Sequence, residues 1–138
     1  MTAEVGQSVT HRRYVSYAHA HYAGHLVDGA WGLGLFGDVA TELCIVTDGD
    51  EGLFASYDEV QFRAPVRAGD VVEATATLVR VGTRSRVMSF ALTVLARAAG
   101  DGEAASTSRV LDQPIVATTA TGTVVVPPAQ PAGRTAGP

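Results

Sequence analysis

The sequence predicts an α+β domain in which one long helix lies on a five-stranded antiparallel sheet. Residues 21–43, HYAGHLVDGAWGLGLFGDVATEL, form the only segment with a sustained helical apolar period. Four stretches after it read as strands, two of them by alternation of their residues, and one stretch before it has β character. The strands after the helix are joined by short turns, which implies antiparallel pairing. One helix on one such sheet is an α+β arrangement.

Taken in order, residues 1–10 are polar and are expected to be flexible. Residues 11–20, HRRYVSYAHA, carry Tyr14, Val15 and Tyr17 and read as a strand. The helix follows, to about Thr47, with Asp28 where an N-cap would stand. From Asp28, steps of three and four reach Trp31, Leu35, Asp38 and Glu42; Leu33, Phe36, Ala40 and Leu43 make a second, apolar face. Gly29, Gly32, Gly34 and Gly37 interrupt it, although each glycine costs about 1 kcal/mol against alanine in a helix interior. Something must therefore approach the backbone closely: either the sheet, with the helix deep in it, or a ligand along the helix.

DGDEG (48–52) is a turn by composition. Residues 53–64 alternate as a strand that Pro65 closes, 68–70 turn, and 71–81 form a strand rich in Val and Thr. Residues 82–84 turn, 86–97 alternate, and 99–103 form a loop. Residues 104–126 read as a last strand, bulged near Gln113-Pro114, before a tail of Pro, Ala and Gly. The expected organisation is a flexible N-terminus (1–10), one folded domain (11–126) and a disordered tail (127–138). Open sheet edges and a second apolar surface favour a homodimer or a higher homo-oligomer.

Composition narrows the function. A chain of 138 residues suits one core. A net charge of −4, with no basic run, argues against nucleic acid as a partner. The single Cys44 excludes an internal disulfide and a cysteine zinc site, and its apolar surroundings predict a buried, inert thiol. No apolar stretch approaches the ~20 residues of a bilayer span, and the first ten residues lack the marks of a signal peptide. A cytoplasmic protein without a membrane partner is expected. Asp48, Asp50 and Glu51 lack the spacing of a calcium loop. His19 and His21 have no third ligand at a telling spacing, so no metal is expected. The helix glycines are not a dinucleotide fingerprint, which needs a strand before them.

Two groups of motifs carry a resemblance. Residues 21–43 resemble the helix segment of hotdog-fold thioesterases, whose pattern is an Asp followed by small residues, Gly-His, then Asn-Asn. Here His21 takes the Asp position, Gly24-His25 matches, and Asp28 falls on an Asn. The chain more closely resembles the 3-aminobutyryl-CoA and β-alanyl-CoA ammonia lyases. The shared motifs are LVDGA (26–30), LFGDVATEL (35–43), DGDEGL (48–53), the AP–AGD stretch (64–70), VGTRSR (81–86) and ATGTVVVP (120–127). This similarity covers residues 11–127. It extends more loosely to hotdog enzymes that add glycine to an enoyl thioester.

The resemblance implies a hotdog fold, one long central helix wrapped by a curved five-stranded antiparallel sheet. It implies reversible addition or elimination of ammonia, or of a small amine such as glycine, at the β-carbon of an enoyl thioester. The substrate would be an acyl thioester of CoA or of an acyl carrier protein, with no cofactor. The alternative is a thioesterase, acting on a β-amino acyl thioester; a non-catalytic acyl-thioester binding module is the third reading.

Amine elimination needs a base at the α-carbon, donors for the enolate oxygen and a proton carrier for nitrogen. Asp28, Asp38 and Glu51 are candidate carboxylates, each with a duller alternative as cap, solvated stripe or turn residue. His21 and His25 are candidate proton carriers, histidine being the side chain that exchanges protons near neutral pH. Backbone N–H groups around residues 24–26, including that of Gly24, are expected to serve the oxyanion at the positive end of the helix. Gly29 and Trp31 are expected beside the substrate. Arg84 and Arg86 either bind the phosphates of CoA or of a carrier arm, or form an exposed basic turn.

Overall fold

The computed structural model describes residues 2–100 and 104–128. In chain order the elements are β1 (Ser8–Tyr14), a 3₁₀ turn (Tyr17–His19), β2 (Ala20–Tyr22), a second 3₁₀ turn (Ala23–His25), β3 (Leu26–Val27), α1 (Gly29–Asp48), β4 (Leu53–Phe62), β5 (Val66–Arg67), β6 (Val71–Val81), β7 (Ser85–Ala98) and β8 (Ser108–Val125). The main sheet has five strands in the order β1-β6-β7-β8-β4, and every pair is antiparallel. A second, three-stranded sheet, β2-β3-β5, is built from short pieces on either side of α1 in sequence.

The single long helix and the five main strands match the expected architecture. Several boundaries do not. β1 begins at Ser8, and Val9 enters the core opposite Ala76, so the first ten residues are not simply a flexible leader. That strand ends at Tyr14, and residues 17–27 form turns and short strands rather than continuing it or starting the helix. β4 does not pair with the strand that follows it; it crosses to the far edge and pairs with β8. The expected bulge in β8 is present: Ile115 faces Val94 and Val110 faces Ala96, so residues 111–114 have no partners of their own on β7. Pro114, which lacks an N–H, sits where no ladder bond is required. Of the expected Pro/Ala/Gly tail, Pro127 and Pro128 are exposed, and the rest lies outside the described residues.

The helix buries Gly32, Leu35, Phe36, Val39, Ala40, Leu43, Cys44 and Thr47, a stripe with steps of three and four. Leu35 therefore belongs to the core face and not to the stripe of Asp38 and Glu42. Phe36 stacks on Phe90 of β7 with ring centroids 5.1 Å apart. By length and composition α1 is apolar enough to cross a bilayer, contrary to the reading from sequence, but its apolar stripe packs on the sheet. Gly49 ends it in a left-handed conformation, its N–H donating to the Ile45 carbonyl at 2.9 Å.

Candidate active site

The entry to α1 is shaped by backbone bonds to the turn at 68–70. Val15 donates to the Asp70 carbonyl (2.8 Å), Gly69 to that of Val15 (2.7 Å) and Ala68 to that of His25 (2.9 Å). Gly24 and His25 both take positive φ, 75° and 62°, which turns the chain sharply. β3 then pairs with β5, Val27 opposite Val66. This carries the start of the helix to the end of β4.

There a cleft of about 630 Å³ opens. His21, Tyr22, Asp28, Gly29, Trp31, Phe62, Arg63, Leu92 and Thr118 are among its lining residues. Asp28 occupies the N-cap position, yet its side chain makes no capping hydrogen bond. Its carboxylate is therefore not consumed by the helix, and it lies on the cleft wall beside the positive end of α1. The first N–H groups of a helix have no acceptor within it. Here Gly29 and Ala30 carry two of them and line the cleft, while the Trp31 N–H donates to the Asp28 carbonyl at 3.3 Å. Trp31 leans on His19, ring centroids 5.5 Å apart, and closes one side.

The four glycines divide into two kinds. A Cβ on Gly29 would strike the Phe62 ring, 2.6 Å from Cζ, and one on Gly32 would lie 2.9 Å from Leu92 Cδ2. Close packing explains both. Nothing lies within 4 Å of such an atom at Gly34 or Gly37. These two line a separate groove of about 590 Å³ with Leu33, Phe54 and Tyr57.

The structure brings His21, Asp28, Gly29 and Trp31 together in one cleft and distributes the other candidates elsewhere. Gly24 and His25 do not line it; the His25 ring packs edge-on against Tyr17 at 5.5 Å. Gly24 and His25 precede β3, whose Leu26 does line the cleft, and the open N–H groups at the positive end of the helix are those of residues 29 and 30. Asp38 lies ten residues along α1 from Asp28, about 15 Å at the usual helical rise. It faces Tyr57, whose phenol is pushed up by burial and then by the Asp38 charge, and whose hydroxyl donates to the Leu33 carbonyl at 2.7 Å. Glu51 is exposed beyond the far end of the helix, about 30 Å from Asp28. Within one protomer the three carboxylates do not converge.

The basic turn also departs from expectation. Arg86 is 8% exposed and spends four of its five N–H donors on Asp48 and on the Gly82 and Ser85 carbonyls, so its fork is not open to a phosphate. Arg84 donates to the Val126 carbonyl at 3.2 Å. Both stand at the end of α1 opposite the cleft. Among the described residues no group of three His, Cys, Asp or Glu is placed to hold a metal. The sequence reading missed Phe62 and Arg63. Their only sequence signal is position, at the end of a strand just before Pro65.

A helix lying on a five-stranded antiparallel sheet, with a cleft at its N-terminus, is the hotdog fold. The chain belongs to the thioesterase superfamily, whose family model matches residues 25–96. It is 52% identical over 109 residues to 3-aminobutyryl-CoA ammonia lyase of Acetoanaerobium sticklandii, covering 78% of this chain and 85% of that protein. Its structure is similar to that of β-alanyl-CoA:ammonia lyase from Clostridium propionicum, with a TM-score of 0.83 and 34% identity over 89% of this chain and 87% of that one. A hexameric thioesterase from Yersinia pestis shares the fold, with a TM-score of 0.67 and 21% identity over 98% of this chain and 94% of that one.

Proposed function

We propose that the protein is a carbon–nitrogen lyase acting on a β-aminoacyl thioester of CoA, eliminating ammonia to give the enoyl thioester and catalysing the reverse addition. The observation that carries the reading is Asp28: a carboxylate at a helix N-terminus, unused by the helix, on the wall of a cleft. The chain's 52% identity to an ammonia lyase supports the same chemistry.

In the forward direction Asp28 takes the α-proton. The electron pair moves toward the thioester carbonyl, and the developing enolate oxygen is held by N–H groups of the first turn of α1. The pair then returns to form the α,β double bond, and the C–N bond breaks. His21, on the same cleft wall, supplies the proton that the departing nitrogen needs. Proton movements alone balance this reaction, so it requires no organic cofactor. The working form is a homo-oligomer. β4 is an edge strand with Leu53 and Phe62 exposed, and only a second copy could bring another Asp38 toward Asp28.

The test follows two signals in one tube. Crotonyl-CoA is incubated with ammonium or glycine, and enoyl absorbance and free thiol are recorded together. Loss of absorbance without thiol is the expected outcome. Thiol released at a matching rate would instead assign thioester hydrolysis, and silence in both channels with every amine would leave only a binding role.

A further inference from the structure

We propose that Arg63 and the polar groove beside it hold a phosphoryl group of the thioester's carrier arm. This rests on reading the neighbouring cleft as a thioester site. Arg63 is the wall between two cavities. It lines the cleft that contains Asp28, and it lines a second groove of about 410 Å³ with Gln61, Thr119 and Thr121. Among the described residues it is the only arginine on the cleft wall, in a chain whose fixed cations are all arginine.

Its base is fixed and its tip is open. The Arg63 backbone N–H donates to the Ala117 carbonyl at 2.7 Å, and Nε donates to Thr119 Oγ1 at 3.1 Å. The two terminal nitrogens carry four more N–H donors, and no carboxylate among the described residues pairs with them. A planar fork with unspent donors suits a phosphate, which accepts two parallel hydrogen bonds. The Thr119 hydroxyl, which accepts from Arg63 Nε, keeps its own proton for a remaining oxygen, whereas the Thr121 hydroxyl donates to the Asp58 carbonyl at 3.1 Å. Glu59, held at φ 51° in a bulge of β4, also borders the groove, and its carboxylate repels an anion. The phosphoryl group therefore belongs against Arg63 rather than along the whole groove. The thioester end would lie toward Asp28 and the anionic end would leave past Arg63.

Calorimetric titration of the full chain with CoA, 4′-phosphopantetheine and pantetheine tests this without turnover. The wild type is expected to bind both phosphorylated ligands at least tenfold more tightly than pantetheine. Arg63→Ala should abolish that difference while leaving pantetheine binding unchanged, and Arg63→Lys should restore part of it. Equal tightening by the two phosphorylated ligands places the arm's first phosphate at Arg63, which CoA and a carrier protein share. Further tightening by CoA alone places its diphosphate there. Pantetheine binding as tightly as CoA to the wild type, or weakened equally by Arg63→Ala, would overturn the proposal. Because binding needs no amine addition, failure of the lyase assay and failure of this inference are separate results.

Discussion

Asp48 and Arg86 meet through two parallel hydrogen bonds, Nη2 to Oδ1 at 2.7 Å and Nε to Oδ2 at 3.0 Å. The fork ties the last turn of α1 to the turn between β6 and β7. Its third nitrogen, Nη1, reaches the carbonyls of Gly82 and Ser85, both at 2.9 Å. The Arg86 hydrogen bond, opposed in part by burial, holds the Asp48 carboxyl below the usual range. The same bond raises Arg86.

That depression sets the sign of a pH effect. Asp48 is more acidic folded than unfolded, so its contribution is fully present above the ordinary carboxylate pKa, about 4. It is lost as pH falls from there through the folded value. Replacing Arg86 with Met leaves a mostly buried carboxylate without its partner and should lower stability by about 3 kcal/mol. In urea titrations across pH 2–7 the wild type should lose stability below about pH 4 more steeply than the variant. Superimposable acid profiles would contradict this account.

Asp28 should separate stability from activity. A capping aspartate costs about 1 kcal/mol when removed. Asp28 makes no side-chain cap bond, so Asp28→Asn should change unfolding free energy by less than about 0.5 kcal/mol. Loss of a base in contact with substrate typically costs 10²–10⁴ in rate, and a fall of at least about 100-fold in amine addition is expected. A variant that lost stability and kept its rate would return Asp28 to a capping role.

Gly29 and Phe62 are coupled by contact. An alanine at 29 would improve helix propensity by about 1 kcal/mol but drives a methyl into the Phe62 ring. Phe62 is largely exposed and can swing away, so the cleft wall moves rather than the core. Gly29→Ala should leave the melting temperature nearly unchanged and weaken thioester binding. Phe62→Ala in the same chain should make the Gly29→Ala change nearly silent. Additive losses in this double-mutant cycle would rule the contact out.

Cys44 should be a reporter of unfolding. Burial first, then the Asp48 charge, push its thiol up to about 11. A thiol that is 0% exposed and protonated at neutral pH is neither accessible nor nucleophilic. Iodoacetamide labelling at pH 7.5 should be slow in the native protein and fast in urea, with a midpoint that matches the unfolding transition. Rapid native labelling would mean that this end of α1 opens locally.

The strands were legible because period-two alternation is a local signal: β6 and β7 bury every second residue along most of their length. The helix was legible in extent but not in orientation. Stepping from Asp28 grouped Leu35 with Asp38, whereas the sheet selects the stripe through Leu35, Phe36, Val39 and Leu43. Residues 17–27 carry no period at all. The two-residue strand β3 pairs with β5, Leu26 opposite Arg67, and the three-residue β2 pairs in turn with β3, so this small sheet depends on a partner far downstream. The site divides in the same way. His21, Asp28, Gly29 and Trp31 lie close in sequence and could be found by motif. Phe62 and Arg63 join them because β4 lies at the sheet's far edge, a fact about strand order that no local pattern encodes.

That strand order also governs when the site can come into being. Ser8 pairs with Thr77, and Leu53 pairs with Val125, so both outer strands wait for partners about seventy residues downstream. Helix α1 and the β6–β7 hairpin close over short distances and can form early, whereas the edges require long loops to be shut, a topology that folds slowly. On the ribosome, β4 has no ladder until β8 has emerged. Arg63 then has neither the Ala117 carbonyl nor the Thr119 hydroxyl to hold it. The cleft is thus among the last features the nascent chain acquires, and a chain truncated before residue 117 would carry Asp28 without the far wall of its pocket.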